Sequence, residues 1–204
     1  MAVHTVLFTG DSITDSGRRD DPDGLGDGYV RRLATAPALA GARVVNTGIS
    51  GDLSSDLAVR WAGDVLAHAP AVLSVLIGIN DVWRRYDGAG RVTSAAAYES
   101  TMRDTLNTLS PDVRLVLIEP FVLPADPMQQ RWEAEDLGPK RAVVRSLAAA
   151  HGAVIVPAQD ILSAAASREG SAALAPDGVH PSARGHQLLA EAWLAAVPPE
   201  WLRP

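Results

Sequence analysis

The sequence of 204 residues has no cysteine and a single lysine, and each shortage argues against a class of protein. Without cysteine there is no disulfide framework, no thiolate zinc site and no cysteine nucleophile. Lys140 is the only lysine, and the 24 acidic residues outnumber the 18 basic ones, which gives a formal net charge of −6. Nucleic-acid-binding proteins carry a basic face or stripe. This charge balance therefore does not favour a nucleic-acid partner.

The sequence also has no apolar run near the roughly 18 residues that a membrane-spanning helix needs. Its N-terminus passes directly into a strand-like segment, without the basic start and apolar core of a signal peptide. A chain of this length buries enough surface to fold without a metal or a disulfide. We therefore expect a soluble, cytoplasmic protein that needs no cofactor or metal, does not bind membranes, and forms one domain over residues 1–204.

Five short apolar segments rich in β-branched residues predict the strands of a sheet. They do not alternate polar with apolar residues, which indicates strands covered on both faces. Segments with apolar residues at helical spacing separate them, and the last of these helices is predicted to begin after an N-cap at Ser182. Strands that alternate with helices predict a three-layer α/β/α fold with a five-stranded parallel sheet. The predicted strands are residues 5–9, 43–46, 72–77, 114–119 and 153–157.

Polar groups follow several of the predicted strands, where ligands of an open parallel sheet bind. The first strand is followed by residues 10–14, the second by residues 46–51 and the third by residues 78–81. A later loop, residues 177–181, precedes the last helix. A serine, backbone amides, an asparagine amide, a histidine and an aspartate can therefore meet at one edge. An acyl-transfer site needs these groups as nucleophile, oxyanion donors, base and orienting acid.

These segments, in this order, resemble the four sequence blocks of the SGNH (GDSL-type) hydrolases. The resemblance spans the chain from the first strand to the last helix, and it implies a flavodoxin-like SGNH-hydrolase fold and a serine esterase. One departure is Ile13, where the family name implies leucine. The blocks are Gly10-Asp11-Ser12, Gly51, Gly78-x-Asn80-Asp81 and Asp177-x-x-His180.

A narrower resemblance links the chain to bacterial acetylxylan and acetyl-xylooligosaccharide esterases within this family. It implies a small-molecule substrate, an acetylated sugar such as a xylo-oligosaccharide, and assembly as a homo-oligomer. Pro176 departs from it, because the closest sugar esterases are expected to carry an aromatic residue directly before the catalytic aspartate. The segments that carry the resemblance are residues 10–18, 25–30, 56–57, 60–61, 77–84 and 126–128.

The resemblance and the chemistry together assign a role to each site residue. Ser12 is expected to attack the acyl carbonyl, with His180 as its base and Asp177 orienting the imidazole. The backbone amides of Ser12 and Gly51 and the side chain of Asn80 are expected to form the oxyanion hole.

Several residues next to these are also interpreted from the sequence. We interpret Asp11 and Asp81 as loop-shaping side chains that accept hydrogen bonds from backbone amides. Trp83, Arg84 and Tyr86 follow the oxyanion asparagine and could bind a sugar or form a pocket wall. The same segment also fits a packing tryptophan beside a solvated pair of arginines, Arg84 and Arg85, so both interpretations stay open.

Other functions remain open at this point. The nearest alternative is a general short-chain carboxylesterase or lipase-like acylhydrolase that uses the same serine. A metal-dependent phosphoesterase would instead use Asp11, Asp81, Asp177 and His180 as ligands. A nucleotide-binding module is disfavoured, because the first strand is not followed by Gly-x-Gly-x-x-Gly. The chain also lacks the Gly-x-Ser-x-Gly segment of the α/β-hydrolases.

Overall fold

The computed structural model describes residues 4–88 and 90–203, and its strands form one parallel sheet. The strand order is β2-β1-β3-β4-β5, and every neighbouring pair is parallel. The predicted five-stranded α/β fold is confirmed. The bounds of β2 match the prediction, and the other strands differ by one residue at one end or both. The strands are β1 (Thr5–Gly10), β2 (Arg43–Asn46), β3 (Val72–Leu76), β4 (Arg114–Ile118) and β5 (Val154–Val156).

Helices connect and cover these strands. The last one begins after Ser182, whose hydroxyl accepts a hydrogen bond from the Gly185 amide, as the sequence predicts for an N-cap. A π-helical turn, Glu133–Leu137, connects the helices Pro127–Trp132 and Gly138–His151 without a break in the helical backbone. The α-helices are α1 (Ser12–Asp15), α2 (Tyr29–Ala34), α3 (Ser54–Asp64), α4 (Ile79–Tyr86), α5 (Ala95–Leu106), α6 (Pro127–Trp132), α7 (Gly138–His151), α8 (Ala158–Glu169), α9 (Ser171–Leu174) and α10 (Ala183–Ala196).

The two faces of the sheet carry separate apolar cores, because successive side chains of a strand point to opposite faces. On one face, Val6 and Phe8 belong to a buried cluster with Trp193 and other residues of α2, α8 and α10. On the opposite face, Leu7 clusters with Leu57 and other residues of α3, α5 and α7. The strands are thus buried on both sides, and the predicted three-layer arrangement is confirmed.

The carboxyl end of β1 lies very close to β3. Gly10 has a φ of +153°, and a Cβ atom built on it would lie 1.9 Å from the carbonyl oxygen of Leu76. Only glycine fits there, so the chain can leave the sheet directly into α1 at the edge where the polar segments meet. Within the described ranges, no helix has the length and apolar character needed to span a membrane.

Candidate active site

Ser12 is the first residue of α1 and follows the end of β1 by two positions. Asp11 is the N-cap of this one-turn helix, and its carboxylate accepts a hydrogen bond of 3.1 Å from the Ile13 amide. The interpretation of Asp11 as a loop-shaping residue is therefore confirmed. The cap leaves the Ser12 hydroxyl partly exposed at the carboxyl edge of the sheet.

A chain of hydrogen bonds connects Ser12 to the loop before α10. The Ser12 Oγ lies 2.9 Å from His180 Nε2, although 168 positions separate the two residues. The other ring nitrogen, Nδ1, lies 2.6 Å from Asp177 Oδ2. With the proton on Nδ1 donated to this carboxylate, Nε2 is free to accept the serine proton. The structure thus brings together the three residues predicted as nucleophile, base and orienting acid.

The Asp177–His180 turn is built so that the aspartate lies beside the imidazole. Gly178 has a left-handed φ of +84°, and the second carboxylate oxygen, Oδ1, accepts from the amides of Val179 and His180 at 2.9 and 2.7 Å. Partial removal from water raises the pKa of Asp177, but the hydrogen bonds from His180 and the two amides outweigh it and lower the pKa. The carboxylate is therefore ionised at neutral pH and can stabilise a protonated imidazole.

A cavity of about 250 Å³ opens beside the Ser12 hydroxyl and is lined by all three residues predicted to supply oxyanion donors. Gly51 has a left-handed φ of +89°. The Asn80 side chain is 5% exposed and donates one hydrogen bond of 3.0 Å to the carbonyl oxygen of Asp52. Its amide nitrogen carries a second hydrogen, which can be donated to a substrate oxygen. The cavity is lined by Ser12, Ser50, Gly51, Asn80, Trp83, Arg84 and His180.

Asp81 ties together the two elements that carry these donors. It is fully buried, and its two carboxylate oxygens accept from the amide and the hydroxyl of Ser54 at 2.9 and 2.7 Å. Burial raises the pKa of Asp81, and the hydrogen bonds from Ser54 offset only part of that rise. The start of α3, just after Gly51, is thereby fixed against the start of α4, which carries Asn80. This confirms the loop-shaping interpretation of Asp81.

Two of the three residues predicted as a sugar-binding wall reach the cavity. The Trp83 ring lies 6.1 Å from the His180 ring, and Arg84 pairs with Asp87 at 2.8 Å. Tyr86 is not among the residues that line the cavity, and a sugar-binding role for it stays a prediction. It lies one helical turn beyond Trp83 at the end of α4, where its hydroxyl donates to Glu135 at 3.0 Å.

Arg60 is a site-supporting residue to which the sequence assigned no role. Its guanidinium donates to the carbonyl oxygens of Gly10 and Thr47 at 2.9 and 2.6 Å and to the Asp52 carboxylate at 2.6 Å. It therefore holds the ends of β1 and β2 next to the loop that bears Gly51. Two of these partners are backbone carbonyls that only the fold brings near α3, so no local sequence pattern could reveal them.

Two buried ionisable side chains lie close to α1. Burial, assisted by the nearby carboxylates of Asp81 and Asp52, raises the pKa of Asp11 to about 7. Burial lowers the pKa of His186 to about 4, and its neutral Nδ1 accepts from the Tyr29 amide at 3.2 Å. Neither side chain lines the cavity beside Ser12, so both affect the site through stability and position.

A second cavity lies elsewhere in the described part. It measures about 410 Å³ and is lined mainly by the acidic loop of residues 15–27. Asp21 fixes this loop by accepting from the amides of Leu25 and Gly26 and from Arg31. The loop does not line the Ser12 cavity. Within residues 4–88 and 90–203, no group of three or more His, Asp or Glu side chains is arranged to hold a metal ion.

Comparisons with known proteins agree with this geometry. Residues 8–188 match the model of the GDSL-like lipase/acylhydrolase family. An acetylxylan esterase of Geobacillus stearothermophilus is 39% identical over 215 residues, which cover 97% of this chain and 95% of that protein. A crystal structure of an acetylxylan esterase from this organism has a TM-score of 0.84 and 36% identity, and covers 98% of this chain and 96% of that chain.

Further solved structures are similar over the whole chain. An α/β hydrolase from the metagenome of Lake Arreo has a TM-score of 0.85 and 31% identity, and covers 100% of this chain and 99% of that one. Catalytic mutants of the Geobacillus acetylxylan esterase, with a serine, an aspartate or a histidine replaced by alanine, also match at 35% identity. The chain belongs to the GDSL-like lipase/acylhydrolase family and is a carboxylic ester hydrolase.

Proposed function

We propose that the protein removes acetyl groups from acetylated sugars such as xylo-oligosaccharides, through an acyl-enzyme on Ser12. The observation that carries this proposal is the hydrogen-bonded series from Ser12 Oγ to His180 Nε2 and from Nδ1 to the Asp177 carboxylate, at 2.9 and 2.6 Å. The substrate class is supported by the relatives named as acetylxylan esterases. The roles of the three residues are supported by the catalytic serine, aspartate and histidine mutants of such an esterase.

In the first half of the reaction, Ser12 Oγ attacks the acetyl carbonyl carbon while His180 Nε2 takes the hydroxyl proton. Asp177 keeps the imidazole in the required tautomer and stabilises the imidazolium that forms. The carbonyl oxygen becomes an oxyanion, to which the Ser12 and Gly51 amides and the Asn80 side chain donate. These donors are fixed before the substrate arrives, because Asp81 and Arg60 hold the segments that carry them.

The tetrahedral intermediate collapses when the bond to the sugar oxygen breaks and His180 donates its proton to that oxygen. The sugar alcohol leaves, and the acetyl group remains on Ser12. In the second half, His180 takes a proton from a water molecule as the water attacks the acyl carbon. This attack forms a second tetrahedral intermediate. When its bond to Ser12 Oγ breaks, His180 returns the proton to that oxygen and acetate is released.

The shape of the cavity supports a short acyl group. Its volume is about 250 Å³, and Trp83 and Arg84 stand in its wall. Each buried CH₂ group contributes roughly 0.8 kcal/mol of binding, but only where an apolar surface receives it. Here the remaining lining is a histidine, two serines, a glycine and an asparagine, so a long acyl chain gains little.

A general short-chain carboxylesterase is the second candidate, because Pro176 replaces the aromatic residue expected beside the catalytic aspartate of sugar esterases. A phosphoesterase is disfavoured by contacts in the site. Both oxygens of Asp81 accept from Ser54, and both oxygens of Asp177 accept from its own turn. The oxygens of both carboxylates therefore accept hydrogen bonds within the protein, and this does not favour a role as ligands of a shared metal.

The test compares wild type and Ser12→Ala on acetylated xylo-oligosaccharides, peracetylated xylose and nitrophenyl acetate. We expect kcat/KM to be highest for the acetylated xylo-oligosaccharides and turnover to be nearly absent in Ser12→Ala. Equal kcat/KM for sugar and nitrophenyl acetates would favour the general carboxylesterase. Turnover above about a tenth of wild type in Ser12→Ala would reject the acyl-enzyme, since removing the nucleophile of such enzymes costs many orders of magnitude. Assembly as a homo-oligomer and a cytoplasmic location stay predictions.

A further inference from the structure

We propose that Gln129 is a positioning residue for catalysis, which holds the backbone of Asp177 so that its carboxylate meets His180. The inference rests on the proposed acyl-transfer function. The Gln129 side chain is 6% exposed, and its amide nitrogen donates to the Asp177 carbonyl oxygen at 2.7 Å. Its amide oxygen accepts from the Ala125 amide at 2.7 Å. One buried side chain therefore connects the segment after β4 with the backbone of the proposed orienting acid.

The turn that carries Asp177 is packed directly against this glutamine. A Cβ atom built on Gly178 would lie 2.1 Å from Gln129 Oε1 and 3.0 Å from the carbonyl oxygen of Leu123. The Leu123 amide also donates to the Gly178 carbonyl oxygen at 2.8 Å. The turn is thus held from the side of the segment after β4 by two hydrogen bonds and by close contact, which leaves it little room to shift.

Gln129 is itself fixed by the start of α6. Asp126 is the N-cap of this helix, and its carboxylate accepts from the Gln129 amide at 2.8 Å. Pro127 follows the cap and restricts the first turn further. The position of the glutamine side chain is therefore determined before it contacts the Asp177 turn.

The chemistry of the side chain suits a positioning role. A primary amide can donate to one backbone group and accept from another without carrying charge. A lysine or arginine here would place a positive charge near the carboxylate that must stabilise the imidazolium. A displacement of about 1 Å in a catalytic group can lower the rate by roughly 100-fold. An uncharged anchor thus fixes Asp177 without changing the charge balance of the site.

Gln159 provides a matched control within the same part of the fold. Its side chain makes a similar pair of hydrogen bonds, accepting from the Val122 amide and donating to the Val122 carbonyl oxygen, both at 3.0 Å. It also donates to Ser163 at 2.8 Å. Gln159 therefore anchors the same segment after β4, but its hydrogen bonds do not reach the Asp177–His180 turn.

The experiment compares Gln129→Met and Gln129→Glu with Gln159→Met and Gln159→Glu. For each variant, kcat and KM for nitrophenyl acetate are measured from about pH 5 to 9, along with the thermal midpoint. We expect Gln129→Met to lower kcat roughly 10- to 100-fold with KM changed by less than about threefold, because the acid is misplaced and the binding cavity is intact. Gln159→Met should lower the thermal midpoint similarly but leave kcat within about threefold.

Gln129→Glu gives a readout that loss of stability does not produce. The introduced carboxyl can donate to the Asp177 carbonyl only while protonated, so kcat should fall as the pH rises and the carboxyl ionises. Wild type and Gln159→Glu should not show this alkaline loss. Because the variant is nearly isosteric, the test remains available if Gln129→Met does not fold.

The outcomes separate this inference from the proposed function. An active Ser12→Ala enzyme would reject the acyl-enzyme itself. If Ser12→Ala is inactive, the role of Gln129 is overturned by either of two results. One is a kcat in Gln129→Met that matches Gln159→Met, and the other is a pH profile of Gln129→Glu with the same shape as wild type.

Discussion

Replacing Asn80 by alanine removes the one proposed oxyanion donor that comes from a side chain. The side chain is 5% exposed, lines the cavity beside Ser12, and uses one amide hydrogen on the carbonyl oxygen of Asp52. The second hydrogen is available to the oxyanion. That charge develops only in the transition state, so the loss should affect kcat and leave KM nearly unchanged.

The size of the effect follows from the kind of donor. Losing one neutral donor to an oxyanion costs about 2.7–4 kcal/mol in comparable enzymes, which corresponds to roughly 10²–10³ in kcat. A separate and smaller effect on stability is expected, because the buried carbonyl oxygen of Asp52 loses its partner. This loss should lower the free energy of unfolding by about 1–3 kcal/mol.

The assay measures kcat and KM for nitrophenyl acetate and the urea unfolding of Asn80→Ala. Asn107→Ala is the control, since Asn107 is an exposed residue at the end of α5 and should change neither quantity. A strong rise in KM with kcat unchanged would show that Asn80 binds the ground-state substrate. The oxyanion role would then be refuted.

Three further predictions concern stability and acyl length. The pKa of the Asp11 carboxyl is about 7 in the folded protein and 3.8 in its ordinary environment. The free energy of unfolding should therefore fall by about 4 kcal/mol as the pH rises from 3.8 to about 7. Asp11→Asn should remove this decline. His186 acts with the opposite sign. The pKa of its imidazole is about 4 in the folded protein and 6.5 in its ordinary environment. The free energy of unfolding should therefore fall by about 3 kcal/mol as the pH falls from 6.5 to about 4, and His186→Gln should abolish this loss. Urea unfolding across a pH series measures both, and an unchanged pH dependence in either variant would contradict that assignment. For nitrophenyl esters, kcat/KM should fall beyond about four acyl carbons, because the cavity offers little apolar surface; a steady rise to eight carbons would indicate a lipase-like enzyme.

The strands and the reacting residues could be predicted because their signals are local. The strand bounds follow from short runs of β-branched residues. Ligands of an open parallel sheet bind beyond the carboxyl ends of its strands, and this rule brings Ser12, Asn80 and the Asp177–His180 turn together. The last helix was predicted from Ser182, whose capping partner lies only three residues away. This cap has its signal and its partner within a few residues, whereas Ser12 and His180 are 168 positions apart and meet because both lie at the carboxyl edge of the sheet.

The supporting contacts could not be predicted, because their partners are distant in sequence. Gln129 and Arg60 bind backbone carbonyls, which every residue has and no sequence pattern marks. The helix Ile79–Tyr86 was missed for another reason. Gly78 takes the cap position directly after β3 without a side-chain hydrogen bond, and Asn80 and Asp81 lie in the first helical turn, so no polar N-cap residue marks the start of this helix. Tyr86 therefore lies at the end of this helix and is not among the residues that line the Ser12 cavity.

The acyl-enzyme on Ser12 is tested most directly by labelling with a serine-directed organophosphonate, which resembles the tetrahedral intermediate and does not hydrolyse. The labelled protein is digested and its peptides are mapped by mass spectrometry, with residual esterase activity measured on the same samples. We predict one phosphonyl group per chain, located on Ser12, with activity lost in proportion to labelling and no labelling in Ser12→Ala. A label on a different residue that accounts for the lost activity, or full activity after Ser12 is labelled, would contradict the mechanism.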